Sequence, residues 1–112
     1  MVNTRTPKRG DILKLSFGPS KGHEQDGYRP VVVLSDVDFH TMTGFAFCVP
    51  VTTRKKELLF EITVDTKSVQ GVALPHAAKM IDLHARKYQI VDRLSQESLE
   101  QIVAVLTKIM VG

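Results

Sequence analysis

The chain has 112 residues, of which 43% are hydrophobic and 24% are charged, and its formal net charge is +3. This length supports one domain with a single core, and the composition is that of an ordinary globular protein. The excess of Lys and Arg is compatible with a polyanionic partner but is too small to establish one. Cys48 is the only cysteine, which excludes an internal disulfide, and its apolar neighbours Phe47 and Val49 predict a buried thiol.

No segment of the sequence suggests a membrane or secreted protein. No apolar run approaches the roughly 20 residues needed to span a bilayer, and residues 1–9 are polar and basic, without an apolar signal core. We therefore expect a cytoplasmic protein in which residues 1–112 form a single domain and residues 1–9 form a loosely ordered arm.

The first half of the chain predicts strands separated by polar segments. Residues 11–17 alternate in polarity, as in a strand, and residues 31–34 are apolar on both faces, as in a central strand. The weakly periodic segment 36–43 predicts a short helical turn. Residues 45–49 form a third predicted strand, which we expect Pro50 to end.

The second half predicts further short strands and a terminal helix. Phe60, Ile62 and Val64 alternate with polar residues, which indicates a strand with one buried face. Ser95 is a suitable N-cap for a helix with one apolar stripe. These elements predict a mainly β (α+β) fold, a small curved sheet or barrel with the helix packed on it. The other predictions are a charged turn at 54–57, short strands at 71–74, 79–82 and 87–91, a bend at Pro75, and a stripe of Leu99, Ile102, Val103, Leu106, Ile109 and Met110.

A polar loop over residues 21–30 leads directly into the apolar strand. Gly22 and Gly27 allow sharp bends, and Pro30 restricts Arg29 to extended geometry at the rim of the sheet. A polar loop of this length in a small chain more often binds a ligand than serves only as a connection. Arg29 therefore fits either a ligand-binding arginine or a solvated arginine at a strand start.

Several separate segments carry a family resemblance. They occur between Gly10 and Ser95 in the order GDILKLSFGPSKG, GHEQDGYRP, VPVTT, LFEI, GVAL and KMIDLHAR. Together they resemble the MazF/PemK toxins, which are small sequence-selective endoribonucleases of type II toxin–antitoxin pairs.

The resemblance implies a fold and an activity. The implied fold is an SH3-like small barrel that works as a homodimer, with RNA in a groove shared by the two subunits. The implied reaction is cleavage of single-stranded mRNA through the 2′-hydroxyl, leaving a 2′,3′-cyclic phosphate and a 5′-hydroxyl, with no metal or other cofactor. The implied partner is a MazE-like antitoxin whose acidic, disordered tail covers the groove, and the implied outcome is growth arrest under stress.

Two residues are the candidates for catalysis. Such cleavage needs stabilisation of charge on the phosphoryl oxygens, for which a guanidinium is suited because it stays charged and presents a planar fork of donors. Arg29 matches the arginine to which the family assigns the main catalytic role. Thr52, a hydroxyl donor just beyond the third predicted strand, matches the family's catalytic threonine in its VPVTT context, although its residues alone also fit a local backbone hydrogen bond.

Other residues are candidates for binding the substrate. Glu24 and Gln25 offer base-edge donors and acceptors, Lys79 and Arg86 offer charges for phosphates, and Phe60 could stack on a base unless it lies in the core. The complete predicted set is His23, Glu24, Gln25, Thr53, Phe60, His76, Lys79 and Arg86.

The histidines leave the proton transfers open. None of the four belongs to an HExxH motif, and their spacings resemble no compact zinc set, so we expect no metal site. His23 is either a general acid or base in the polar loop or a solvated histidine. His76 stands where many relatives of the resembled family carry an aspartate; a histidine can also move a proton but cannot supply a fixed negative charge, so the general base and acid, His23, His76 or another residue, are left unassigned.

Two other functional classes compete with the ribonuclease. One is a toxin of the same fold that binds and poisons a topoisomerase through its C-terminal helix, commonly with a tryptophan, a residue that this chain lacks. The other is a catalytically inactive module that binds nucleic acid or protein. The RNA sequence recognised depends on loop contacts that the sequence pattern does not encode.

Overall fold

Seven strands and two α-helices make up the parts of the chain that the structure describes. The computed structural model describes residues 5–16, 28–53 and 60–112. The elements are β1 (Asp11–Ser16), β2 (Tyr28–Val33), α1 (Val37–Thr43), β3 (Phe45–Thr52), β4 (Ile62–Asp65), β5 (Gln70–Ala73), a 3₁₀ turn (Pro75–Ala77), β6 (Lys79–Asp82), β7 (Tyr88–Arg93) and α2 (Gln96–Val111).

The strands form one antiparallel sheet with the order β4-β5-β3-β2-β1-β7, and β6 also pairs with β3. The outer edge of β3 is divided between two partners: Phe45 to Cys48 pair with β6, whereas Val51 and Thr52 pair with β5. The 3₁₀ turn occupies the chain between these two partners. This division lets β3 belong both to the curled part of the sheet and to the β4–β5 hairpin.

Residues 83–87, which connect β6 to β7, bridge the curled sheet through two backbone hydrogen bonds. Leu83 N–H donates to the Gly44 carbonyl at 2.9 Å, and Ser16 N–H donates to the Lys87 carbonyl at 2.9 Å. The curl encloses one buried cluster, on one face of the sheet. Its members are Leu13, Leu15, Val31, Val33, Ala46, Cys48 and Ile81.

A second core lies on the opposite face, where α2 packs. The helix begins with Ser95 as N-cap, whose Oγ accepts from Ser98 N–H at 3.1 Å, and it buries Leu99 and Ile102. Because both faces of β1, β2 and β3 are covered, these strands are apolar on both sides. The cluster comprises Ile12, Val32, Leu34, Val49, Val51, Ile62, Val64, Val69, Ala73, Leu94, Leu99 and Ile102.

Most predicted elements are present, with two corrections at strand ends. Pro50 does not end the third strand: β3 continues to Thr52, because the proline removes only its own donor while its carbonyl accepts from Leu74 N–H at 3.0 Å. Phe60 is not part of a strand, since it lies in a turn and β4 begins at Ile62. The predicted charged turn at 54–57 and most of the polar loop at 21–30 lie outside the described residues.

Residues 5–9, part of the expected arm, contact the rest of the domain. Pro7 is fully buried, and Arg9 Nε donates to the Leu34 carbonyl at 2.7 Å. Asp11 is only 1% exposed, and its carboxylate forms ion pairs with the guanidinium groups of Arg5 and Arg93, each at 3.0 Å. The buried negative charge therefore has two cationic partners. These contacts tie the arm to β1 and to the end of β7.

A buried histidine joins the arm to α1 and β3. His40, 3% exposed, lies with Nδ1 2.8 Å from the Pro7 carbonyl and Nε2 2.7 Å from Ser35 Oγ. A carbonyl only accepts, so Nδ1 carries the proton and, in the neutral ring, Nε2 accepts from the serine hydroxyl. Ser35 Oγ in turn accepts from Phe47 N–H at 2.8 Å. The network provides hydrogen-bond partners for polar groups on three separate segments of the chain.

The predicted stripe of α2 is only partly buried. Leu99 and Ile102 lie in the core and Leu106 packs against it, whereas Val103, Ile109 and Met110 are 43%, 56% and 74% exposed. No helix among the described residues is long and apolar enough to cross a membrane.

Candidate functional site

Arg29 and Thr52 come together at one end of the curled sheet. The register between β2 and β3 pairs Val31 with Pro50, Val32 with Val49 and Val33 with Cys48. The last pair of this register is Val31 with Pro50, and Arg29 and Thr52 each lie two residues beyond it. Because side chains alternate along a strand, Arg29 lies on the same face as Val31, and Thr52 on the same face as Pro50. Arg29 is exposed and Thr52 is half-buried, so a ligand at this end of the sheet can reach both.

A glycine in the neighbouring strand lets β5 approach the end of β3. Thr52 pairs with Val72, and Gly71 immediately precedes Val72 in β5. A Cβ built on Gly71 would lie 2.3 Å from the Thr52 carbonyl oxygen, a separation that no side chain can adopt. The absence of a side chain at position 71 therefore determines where the backbone of Thr52 sits.

A second guanidinium reaches the same end of the sheet from residues 83–87. Arg86 Nη1 donates to the Ser16 carbonyl at 3.4 Å, and Ser16 pairs with Tyr28, the residue before Arg29. The backbone bond between Ser16 and Lys87 holds this segment in place. Arg86 thus contacts β1, and Thr52 ends β3, and these are the two strands that flank β2.

Phe60 lies just before β4, His76 lies on the 3₁₀ turn, and Lys79 begins β6. The rings of Phe60 and His76 contact each other edge to face, with centroids 4.9 Å apart and an interplanar angle of 70°. His76 is exposed on the 3₁₀ turn, whereas Phe60 is half-buried. Lys79 is exposed at the start of β6, opposite Cys48 in β3.

The structure therefore brings together part of the predicted set. Arg29, Thr52 and Arg86 lie at the end of the curled sheet, and Thr53 is exposed directly after β3. Phe60 and His76 contact each other, and Lys79 follows them at the start of β6. The predicted residues His23, Glu24 and Gln25 lie outside the described residues.

Two residues of this end were not predicted. Ser16 fixes Arg86 through its backbone carbonyl, and Gly71 allows the close approach at Thr52. Ser16 acts through its main-chain carbonyl, so its residue type does not reveal this role in the sequence. Gly71 lies in the GVAL segment, but the need for a glycine becomes apparent only when β5 is placed against β3.

The arrangement is suited to a phosphate group. Two guanidinium groups keep their charge at all physiological pH values, and a hydroxyl can donate to an oxyanion without ionising. Among the described residues, no group of three or more His, Cys, Asp or Glu side chains is placed to hold a metal ion. The buried thiol of Cys48 is a poor nucleophile, because burial raises its pKa to about 12.

A family model described as PemK-like, MazF-like toxin of type II toxin-antitoxin system matches residues 8–110. The chain belongs to this toxin family. The endoribonuclease toxin MazF of Escherichia coli (strain K12) is 38% identical over 104 residues, covering 93% of this chain and 94% of that protein. The endoribonuclease toxin ChpB of the same strain is 33% identical over 107 residues, covering 90% and 91%.

Solved structures of the family confirm the fold. MazF (Form-I) from Deinococcus radiodurans aligns with a TM-score of 0.82 at 31% identity, covering 95% of this chain and 97% of that chain. MazF in the MazE–MazF structure (Form-II) from the same organism aligns with a TM-score of 0.85 at 31% identity, covering 95% and 96%. The expected mainly β architecture, a curled antiparallel sheet with a C-terminal helix, is therefore confirmed.

Proposed function

We propose that this protein is the toxin of a toxin–antitoxin pair and cleaves single-stranded mRNA at a specific sequence. The observation that carries the proposal is the register of β2 and β3, in which the exposed Arg29 and the half-buried Thr52 each lie two residues beyond the pair Val31–Pro50. A phosphate between these side chains meets a planar fork of donors on one side and a hydroxyl on the other. Membership of the toxin family and the names of the relatives support the same reaction.

The proposed reaction is a transesterification. The 2′-hydroxyl oxygen attacks the adjacent phosphorus, the bond from phosphorus to the 5′ oxygen breaks, and the products are a 2′,3′-cyclic phosphate and a 5′-hydroxyl. Arg29 and Thr52 donate to the non-bridging oxygens, where negative charge increases in the transition state. A general base takes the 2′ proton and a general acid supplies one to the 5′ oxygen; His23 is a candidate for either role, and neither is assigned.

The remaining predicted residues are proposed to hold the RNA strand. Arg86 and Lys79 would contact flanking phosphates, and Thr53 would donate to a neighbouring sugar or phosphate. His23, Glu24 and Gln25 would read base edges. The proposed assembly is a homodimer in the cytoplasm.

The proposed protein partner is a MazE-like antitoxin. Solved structures of relatives hold MazF together with MazE. An acidic, disordered tail on such a partner would complement the cations around Arg29 and exclude RNA. Release of the toxin would then arrest growth under stress.

The proposal is tested by incubating the purified, antitoxin-free protein with a long single-stranded RNA in EDTA and mapping the 5′ ends. We expect cuts within one short sequence, 3′ ends that carry a cyclic phosphate, and no cleavage by Arg29→Ala. Lys108→Ala, which removes an exposed cation from α2, is the matched control and should cleave like the wild type. Intact RNA with the folded wild-type protein would refute the proposal, and growth arrest with intact RNA would favour topoisomerase binding.

A further inference from the structure

An aromatic pair outside the proposed catalytic group presents a ring to solvent. The His76 ring is exposed, and it contacts the half-buried Phe60 edge to face at 4.9 Å between centroids. Edge-to-face pairs are favourable contacts, so Phe60 limits how the histidine ring can turn. A large, exposed ring held in one orientation is a suitable surface for stacking.

The backbone beneath His76 is also fixed. Pro75, the residue before it, is fully buried, and the 3₁₀ turn closes with Ala77 N–H donating to the Leu74 carbonyl at 2.9 Å. Leu74 N–H in turn donates to the Pro50 carbonyl in β3 at 3.0 Å. The ring pair is thereby anchored to the strand that ends at Thr52.

The pair lies within reach of the same RNA strand as Thr52. Val72 pairs with Thr52, and His76 follows Val72 by four residues, which span at most roughly 14 Å even when fully extended. Lys79, exposed at the start of β6, follows His76 by three residues and supplies a cation in the same segment. An aromatic face with an adjacent cation is the combination that binds a base and its phosphate in single-stranded nucleic acid.

We propose that Phe60 and His76 form a nucleobase-binding site, in which one base of the RNA, near the scissile phosphate, stacks on the exposed His76 ring. Phe60 acts by holding that ring, and Lys79 pairs with the phosphate of the stacked nucleotide. This inference rests on the proposed ribonuclease function and extends it by assigning a subsite for one base. Stacking tolerates any base, so the site contributes affinity and placement rather than sequence selection.

The test measures RNA affinity with the full chain. The probe is a labelled RNA oligonucleotide that contains the mapped cleavage sequence, with a 2′-O-methyl group at the scissile nucleotide to prevent reaction. We expect His76→Ala and Phe60→Leu to raise Kd about ten-fold, and His76→Phe and Phe60→Tyr, which retain the rings, to bind within about two-fold of the wild type. Phe45→Leu is the control, since Phe45 is an exposed aromatic residue at the first position of β3, far along that strand from Thr52.

A scan with abasic nucleotides locates the stacked base. At one position, loss of the base should weaken wild-type binding about ten-fold and leave the binding of His76→Ala unchanged, because the partner ring is already missing. Additive losses at every position, or wild-type affinity for His76→Ala, would overturn the inference while RNA cleavage by the wild type remains. If the wild type cleaves no RNA, the proposed function fails and the inference fails with it.

Discussion

The backbone of Gly71 lies against the carbonyl oxygen of Thr52, so close that a Cβ at position 71 would be 2.3 Å from it. Gly71→Ala should therefore push the end of β3 away from β5. We expect a loss of about 1–3 kcal/mol in the free energy of unfolding, as for other overpacked sites, and a cleavage rate reduced by about 10²-fold because Thr52 is misplaced. Urea unfolding and single-turnover cleavage measure the two effects.

The control for this substitution is another glycine. A Cβ on Gly112 meets nothing within 4 Å, so Gly112→Ala should leave both stability and cleavage near wild-type values. Equal behaviour of the two variants would show that the contact with Thr52 has no consequence.

Ser35 is the centre of the network that joins the arm to β3. Ser35→Ala leaves both Phe47 N–H and His40 Nε2 without the hydroxyl partner that they have in the wild type. We expect a loss of about 1–3 kcal/mol, since buried polar groups lose their hydrogen bonds. Thr41→Ala removes an exposed hydroxyl that only bonds within α1, and should change the stability by less than about 0.5 kcal/mol. Chemical unfolding of the two variants compares them directly.

Asp92 forms a contact between β7 and the tip of the β4–β5 hairpin, and we expect this contact to be sensitive to acid. Its carboxylate accepts from Ser68 N–H at 2.8 Å, and hydrogen bonding, chiefly from Thr66, lowers its pKa. Because the pKa of Asp92 is lowered in the folded state, its ionised carboxylate stabilises the fold. This contribution is complete above the ordinary carboxyl pKa near 3.8, and it is lost as the pH falls through the lower pKa of the folded protein. Hydrogen exchange of the Ser68 amide should therefore accelerate, relative to its intrinsic rate, only below about pH 4.

Asp92→Asn removes the titrating group from this contact. The variant should show faster Ser68 exchange at neutral pH and no further acceleration, relative to the intrinsic rate, from this site on acidification. A wild-type exchange profile in the variant would contradict the role given to Asp92.

Cys48 should be inert in the folded protein. It is fully buried, and burial raises its pKa to about 12, so almost no thiolate exists at pH 8. Iodoacetamide followed by mass spectrometry should show no labelling of the native protein and complete labelling in guanidinium. Rapid labelling of the native protein at pH 8 would mean that the core around β3 opens readily.

The sequence predicted the elements better than their arrangement. Alternation in β1 and helical spacing after Ser95 are local signals, so both elements were placed correctly. The prediction that Pro50 ends the strand is wrong because its carbonyl accepts a hydrogen bond from Leu74 N–H, which belongs to a segment distant in the sequence. Exposed Ile109 was assigned to the buried stripe, since periodicity does not state how far the sheet extends along the helix.

The candidate site can be proposed from the sequence as a set of residues but not as a geometry. The family resemblance proposes Arg29 and Thr52, whereas their position just beyond the pair Val31–Pro50 follows from the register of β2 and β3, which no single segment encodes. The contact between Phe60 and His76 likewise needs β4 and β5 to be paired before it can be seen.

The most direct test of the account is a double-mutant cycle on Arg29 and Thr52, measured as the single-turnover cleavage rate of one RNA. If both side chains donate to the same phosphate, Arg29→Ala and Thr52→Val should each slow cleavage by about 10²-fold or more, and the double variant should lose less than the product of the two. Losses that multiply fully, or a Thr52→Val variant that cleaves at the wild-type rate, would contradict a shared site at the end of the curled sheet.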